Sequence, residues 1–169
     1  MMHRLTILLC LTSWIVVGQN KIFQNPDDLY DFHGFTFGMA PDDLPGSLQL
    51  DLTISFGLKY YKYRDKSVQT LYNRKVYDIN LGFRDDQLEY IDIYFNKLDQ
   101  EAFDTFRNQL EVRFGSSTLI DAVEPGIINA VQWDGNEVTI DLYRYGDEPI
   151  DNQDKNKTVL AISRLISEG

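Results

Sequence analysis

Carboxylate and tyrosine side chains are the reactive groups that this sequence offers in number. The chain carries 26 acidic and 16 basic residues and 10 tyrosines, but only one cysteine and two histidines. Nucleophilic triads need a histidine or another base beside the nucleophile, and zinc sites draw on cysteine and several histidines. His33 is the single histidine beyond the first eighteen residues, and it lies between aromatic residues of a predicted strand. The sequence therefore argues against both classes of site.

Alternating residues predict a surface on which tyrosines and acids lie together. If Ile79, Ile93 and Ile140 point into the core, the residues between them share the opposite face of the sheet. That face would hold Asp78, Asn80, Tyr90, Asp92, Tyr94, Asp141, Tyr143 and Tyr145. Flat amphipathic rings beside carboxylates suit a sugar, a peptide or a cationic patch on a protein. The alternative is ordinary strand alternation, in which tyrosine is a favoured residue.

Oxygen ligands for a cation crowd one later loop. The candidates for calcium are Asp147, Asp151, Asn152, Asp154 and Asn156, with Glu148 beside them. The alternate spacing of the last three matches the first half of an EF-hand loop, but the glycine and the closing glutamate of that motif are missing. Calcium is the only cofactor that the sequence points to, and a solvated hydrophilic loop is the alternative.

The abundant carboxylates also make a hydrolase an alternative function. Glycoside hydrolysis needs two carboxyl groups about 5–10 Å apart across a cleft. The chain has four pairs of adjacent acids, but neighbours along a strand point to opposite faces. The sequence therefore names no catalytic pair.

The first eighteen residues predict a secretory signal peptide. Arg4 precedes an apolar stretch from Leu5 to Val17, and small or modest residues lead to Gly18. The stretch is shorter than the roughly 20 residues of a membrane span, so we expect cleavage near Gly18 and no stable span afterwards. The protein would then be secreted or periplasmic. Cys10 would leave with the peptide, so no disulfide is expected.

Residues 19–31 form a polar leader, and 32–169 are expected to form one α+β domain. Two single strands are predicted first: a short one over 32–38, and one over 48–63 with a bulge or bend near Gly57. Hairpins follow around Arg84-Asp85-Asp86-Gln87 and around Asp134-Gly135-Asn136. In the first hairpin, Tyr77, Ile79, Leu81 and Phe83 are expected to alternate with polar residues along one strand, and Glu89, Ile91, Ile93 and Phe95 along the other.

A switch to helical spacing predicts one main helix, capped by Asp99 and ended by Gly115. Its apolar stripe comprises Ala102, Phe103, Phe106, Leu110 and Phe114. The segment 158–166 is a strand or a short helix. The expected fold class is an antiparallel β-sheet built of hairpins, with one main α-helix packed on one face.

Three features resemble a known group. They are the opening Phe32-His33-Gly34-Phe35-Thr36-Phe37-Gly38-Met39, the aromatic-rich helix ending in Phe114-Gly115, and Trp133 before a hairpin turn. Across most of 31–165 they resemble a loosely defined group of small secreted bacterial envelope proteins of uncharacterised function. The resemblance implies the fold and the compartment and carries no catalytic residue.

The formal net charge of −10 disfavours nucleic acid and anionic lipid as partners. We therefore expect a secreted non-enzymatic domain that binds a protein or glycan of the cell envelope through its Tyr/Asp face. A carboxylate-dependent hydrolase and a calcium-responsive structural module are the alternatives.

Overall fold

A computed structural model of the chain describes residues 25–44, 46–53, 57–65, 68–121, 125–146 and 157–165. Over these residues the protein is mostly antiparallel β-sheet with one α-helix. The strands are β1 (Asp31–Phe32), β2 (Phe35–Thr36), β3 (Leu48–Thr53), β4 (Leu58–Tyr63), β5 (Thr70–Leu71), β6 (Arg74–Arg84), β7 (Gln87–Asn96), β8 (Thr118–Leu119), β9 (Ile127–Asp134), β10 (Val138–Tyr145) and β11 (Lys157–Arg164). Helix α1 is Gln100–Phe114, and short 3-10 helices span Pro26–Tyr30 and Pro41–Asp43. The predicted signal peptide lies outside the described residues.

The last described strand occupies the middle of the main sheet. Its order is β3-β4-β6-β7-β11-β10-β9-β8, with β5 paired to β6 and every pairing antiparallel. The segment that the sequence left open between strand and helix is thus a strand. It joins β7 to β10, and its Val159, Leu160 and Ile162 side chains are fully buried.

The β6–β7 hairpin forms as predicted and turns at Asp85 and Asp86. Both residues have left-handed backbone angles, φ 51° and 59°, as a two-residue type I′ turn requires. Asp tolerates this region better than most side chains do. The β9–β10 hairpin is also confirmed, and its Val138, Ile140 and Leu142 side chains are fully buried as expected.

The alternation expected for Tyr77 is wrong. Val76 pairs with Phe95 and Asp78 pairs with Tyr94, so Tyr77 is an extra residue in a β-bulge. Val76 takes the core-side position, and Tyr77 is 65% exposed.

A second irregularity changes the alternation at the other end of the same hairpin. Leu88 pairs with Phe83 and is fully buried, whereas the sequence pattern put Glu89 on the face of Ile91. Glu89 is also buried, and its carboxylate accepts a hydrogen bond from Arg84 Nε at 2.8 Å. The ion pair compensates the burial of the Glu89 charge.

Both early predictions of a single strand are wrong, because each region is an antiparallel hairpin. Residues 32–38 contain β1 and β2, which turn at His33 and Gly34 with φ of 53° and 84°. The region 48–63 contains β3 and β4, paired antiparallel, with Gly57 at φ 76° just before β4. The antiparallel pairing shows that the chain reverses between the two strands, whereas a bulge would only bend it, and Gly57 has a backbone that glycine adopts without strain. Residues 54–56 lie outside the described residues.

Helix α1 has the predicted caps and the predicted buried residues. Asp99 Oδ1 accepts a hydrogen bond from the Ala102 amide at 2.8 Å, and Gly115 ends the helix at φ 86°. Phe103, Phe106, Leu110 and Phe114 are buried, while Ala102 is half-buried. The Phe106 ring lies 5.3 Å from the Phe95 ring of β7.

Candidate functional site: a tyrosine and aspartate face

All eight predicted face residues occupy outward register positions on β6, β7 and β10. We call this surface the Tyr/Asp face: Asp78, Asn80, Tyr90, Asp92, Tyr94, Asp141, Tyr143 and Tyr145. Ile79 pairs with Ile93 on the buried side, while Asn80 pairs with Asp92 on the outward side. Each of the eight is half-buried, so their side chains line a surface and do not fill a core.

Strand β11 separates the two halves of the face with shorter side chains. Ala161 pairs with Asp92 on one side and with Asp141 on the other. Neighbouring strands lie about 4.8 Å apart, so the two aspartate backbones are about 10 Å apart across Ala161. Val159, between Tyr94 and Tyr143, is fully buried, whereas Ala161 is only partly buried. The residue between the two aspartates is therefore a small one whose side chain is partly open to solvent.

Asp141 is a face carboxylate whose pKa is shifted. Burial raises its pKa, the hydrogen bond from Gln132 Nε2 at 2.9 Å lowers it, and the nearby Asp134 charge raises it, for a net increase. A carboxyl held in this way keeps its proton at a higher pH than an exposed one does.

We expect Asp141→Asn to stabilise the fold at neutral pH. A folded-state pKa above the unfolded value means that the folded protein binds the proton more tightly, so its stability falls as pH rises through the folded pKa. The amide removes this penalty and keeps an oxygen for Gln132. Urea unfolding at several pH values should give the variant a larger free energy of unfolding than the wild type at neutral pH. The difference should disappear under acid conditions.

Asp121→Asn, at an exposed position, is the matched control and should change little. If Asp141→Asn is instead less stable at neutral pH, the hydrogen bond to the charged carboxylate outweighs the cost of burial.

Aromatic rings and a lysine extend the face at the end nearest the Tyr77 bulge. Lys157 Nζ lies 4.8 Å from the centre of the Tyr94 ring and 5.4 Å from that of Tyr77. Asn80 Nδ2 donates to the Tyr94 hydroxyl at 3.5 Å, while Asn80 Oδ1 is buried with no hydrogen-bond partner among the described residues. Cation–π contact fixes Lys157 against the two rings.

Tyr60, Tyr77 and Lys157 belong to this surface, and sequence reasoning did not include them. The Tyr60 ring lies 6.3 Å from the Tyr90 ring, above Gly82. A Cβ on Gly82 would come within 2.9 Å of Tyr90 Cβ and 3.0 Å of the Tyr60 ring. Alternation along residues 58–63 places Tyr60 opposite Tyr61, but only the pairing of β4 with β6 brings it beside Tyr90.

The proposed calcium ligands Asp147, Asp151, Asn152, Asp154 and Asn156 lie outside the described residues. Within the part of the chain that the structure describes, no three His, Cys, Asp or Glu side chains are grouped to hold a metal ion. In the same part of the chain, no helix has the length and apolar character that crossing a membrane requires.

Comparison with known proteins adds no relative. No protein-family model, no curated protein and no solved structure matches this chain.

Proposed function

We propose that this protein is a secreted or periplasmic, non-enzymatic domain whose Tyr/Asp face binds a protein or glycan of the cell envelope. One observation carries the proposal: eight tyrosine, aspartate and asparagine residues share one side of three strands around β11. Their half-buried rings offer contact area that loses little side-chain entropy on binding. The carboxylates supply hydrogen-bond acceptors around those rings.

The opposite side of the sheet would give the face a rigid support. We infer that helix α1 packs on that side, because the Phe106 ring contacts the Phe95 ring, which alternates with Tyr94 along β7. The Phe114 ring lies 6.4 Å from that of Trp133, whose Nε1 donates to the Gly115 carbonyl at 2.9 Å. A face held on such a support needs little rearrangement to bind, which lowers the cost of association.

The proposal predicts that Tyr94→Ala and Tyr143→Ala each abolish or strongly weaken partner binding. These rings lie on either side of Val159, near the middle of the face, where interface residues contribute most. The test is capture of envelope proteins and glycans on the immobilised protein, with mass spectrometry of what is retained. One saturable partner, lost on both substitutions, is the expected result.

Val112→Ala is the matched control, because Val112 is a half-exposed residue of helix α1. Its capture should equal that of the wild type. Partner binding that survives both tyrosine substitutions would overturn the assignment of this face.

A carboxylate-dependent hydrolase is the second candidate, favoured by the positions of Asp92 and Asp141 across Ala161. Burial raises the pKa of Asp141, as a general acid requires. The two carboxyl groups of an inverting glycosidase lie about 6.5–9.5 Å apart, which side chains on these two strands can reach. Hydrolysis of nitrophenyl glycosides under mildly acidic conditions, lost in Asp141→Asn, would support this candidate over simple binding.

A further inference from the structure

A cleft of about 500 Å³ opens beside the Tyr/Asp face, lined by the first half of β6 and by residues 63–65 and 68–69. Asp78 lines this cleft and also belongs to the face. Ligand sites for small molecules occupy about 300–1,000 Å³, so the cleft is large enough for one or two sugar rings. Its position makes it a continuation of the proposed binding surface.

The β-bulge in β6 places an aromatic ring in the lining of this cleft. Regular alternation would have turned Tyr77 into the core, but the extra residue turns it outward and leaves it 65% exposed. Bulges often redirect a side chain beside a binding site. Val76 and Val68 add apolar surface to the lining. An exposed ring in a lining that also has aliphatic groups provides a surface on which a sugar ring can stack.

Among the described residues that line the cleft, polar groups of both charge signs are present. Arg64 and Lys75 are cationic, Asp65 and Asp78 are anionic, and Gln69 is neutral. A charged ligand would meet like charges as well as opposite ones among these described residues, so the lining is suited to a ligand without net charge. It does offer both donors and acceptors, which is what a neutral polyhydroxylated ligand needs.

Two of these groups already make hydrogen bonds. Arg64 Nε and Nη2 both donate to Gln49 Oε1, at 3.0 and 2.8 Å, on the exposed rim of the cleft. Asp78 Oδ1 accepts a hydrogen bond from the Ile79 amide at 3.0 Å, which orients that carboxylate. Groups held before binding lose less entropy when a ligand arrives.

We propose that this cleft binds a neutral saccharide, with Tyr77 stacking on a sugar ring and Asp78 accepting from its hydroxyl groups. The proposal rests on the proposed function, because it makes a glycan the partner of that surface. It departs from the general proposal by placing the sugar at Tyr77 instead of at Tyr94 and Tyr143.

The test is NMR titration of the isotope-labelled full protein with cellobiose, maltose, lactose and N,N′-diacetylchitobiose, each to millimolar excess. We expect at least one disaccharide to give saturable shifts at Tyr77, Asp78 and Gln69. Tyr77→Ala should weaken that binding about tenfold, because it removes the stacking ring. Asp78→Asn should weaken it by a similar factor.

Val112→Ala is the control, since Val112 is a half-exposed residue of helix α1 that lies outside both the Tyr/Asp face and the cleft. It should leave the affinity unchanged. Tyr77 is mostly exposed, so its replacement should preserve the spectrum elsewhere. No shift at the cleft with any of the four sugars overturns the proposal, and so does equal binding by wild type and Tyr77→Ala.

The same titration with tetralysine and with tetraglutamate tests the charge argument. Saturable shifts at the cleft with either peptide, and none with the sugars, would overturn the saccharide assignment. If envelope capture then still retained a protein through Tyr94 and Tyr143, the Tyr/Asp face would stand as a binding surface while the saccharide site would not.

Discussion

Phe106→Ala will lower the free energy of unfolding by about 4 kcal/mol, the usual range for removing a fully buried phenylalanine. Phe106 has no exposed surface. Its ring lies 5.3 Å from Phe95 and 5.9 Å from Tyr72, and the Arg74 guanidinium carbon lies 4.6 Å from its centre. Alanine would leave a cavity lined by Phe95 of β7, by Tyr72 in the turn between β5 and β6, and by Arg74 at the start of β6. Neighbouring groups close such a cavity only in part, so most of the cost remains.

Urea unfolding followed by circular dichroism measures this change, and two variants calibrate it. Phe106→Leu keeps most of the volume and should cost about a third as much. Val112→Ala, on the exposed side of the same helix, should change stability by less than about 0.5 kcal/mol. A loss below about 1 kcal/mol for Phe106→Ala would mean that α1 is not part of the cooperative core.

Loss of the Phe106 side chain would also affect the proposed binding surface. Phe95 contacts Phe106 on one side of β7, and the adjacent Tyr94 points to the other side. We therefore expect Phe106→Ala to weaken partner binding, measured under conditions in which the variant is still folded. The loss of binding free energy should be smaller than the loss of unfolding free energy. Unchanged partner affinity in the folded variant would mean that the Tyr/Asp face does not depend on this contact.

Helix α1 could be predicted because all of its determinants are local. Asp99 and Gly115 mark its ends, and its aromatic residues repeat at helical spacing. The β6–β7 and β9–β10 hairpins were predictable for the same reason, since their turn residues lie between two alternating runs. Neither prediction required knowledge of any distant contact.

The face residues followed from alternation, but their arrangement depended on β11. The sequence of residues 157–164 contains no local signal that this strand inserts between β7 and β10. Its place is decided by long-range packing, in which Leu160 and Ile162 fill the core beside Ile93 and Ile140. The pairing of Asp92 and Asp141 across Ala161 is therefore a tertiary property.

Bulges and tight turns account for the wrong local predictions. A period-two pattern assumes one residue for every position, and the extra residue at Tyr77 breaks that count. Likewise, His33 adopts φ 53° in a turn that the aromatic alternation of 32–38 concealed. Pattern reading detects the apolar residues, but it does not detect where the chain adds a residue or reverses.

The segment before β1 holds a contact that composition gave no reason to expect. Asp27, in the predicted polar leader, accepts hydrogen bonds from the backbone amides of Asn136, Glu137 and Val138 at 3.0, 2.8 and 3.0 Å. The Asn136 side-chain amide adds a fourth at 3.2 Å. Successive amides directed at one carboxylate form an anion-binding nest. A Cβ on Gly135 would collide with this carboxylate, so the turn is shaped around it.

Titration of Asp27 should make the free energy of unfolding depend on pH in the acidic range. Burial raises its pKa, but the amide hydrogen bonds from Glu137, Asn136 and Val138 outweigh that effect and lower it below the ordinary value of 3.8. For a carboxyl with a depressed folded-state pKa, the stabilisation is complete above the unfolded-state pKa and is lost as pH falls through the folded-state value. The loss therefore begins below about pH 5 and deepens toward lower pH.

We accordingly expect Asp27→Ala to cost about 2 kcal/mol at neutral pH, because three backbone donors of the β9–β10 turn lose a charged acceptor but can still reach water. Asp27→Asn should cost about half as much, and the gap between it and the wild type should narrow under acid conditions. Urea unfolding at neutral pH and at two acidic values measures both effects, with the exposed Asp42→Asn as control. If wild type and Asp27→Asn lose stability in parallel as pH falls, Asp27 does not anchor the leader to the β9–β10 turn through its charge.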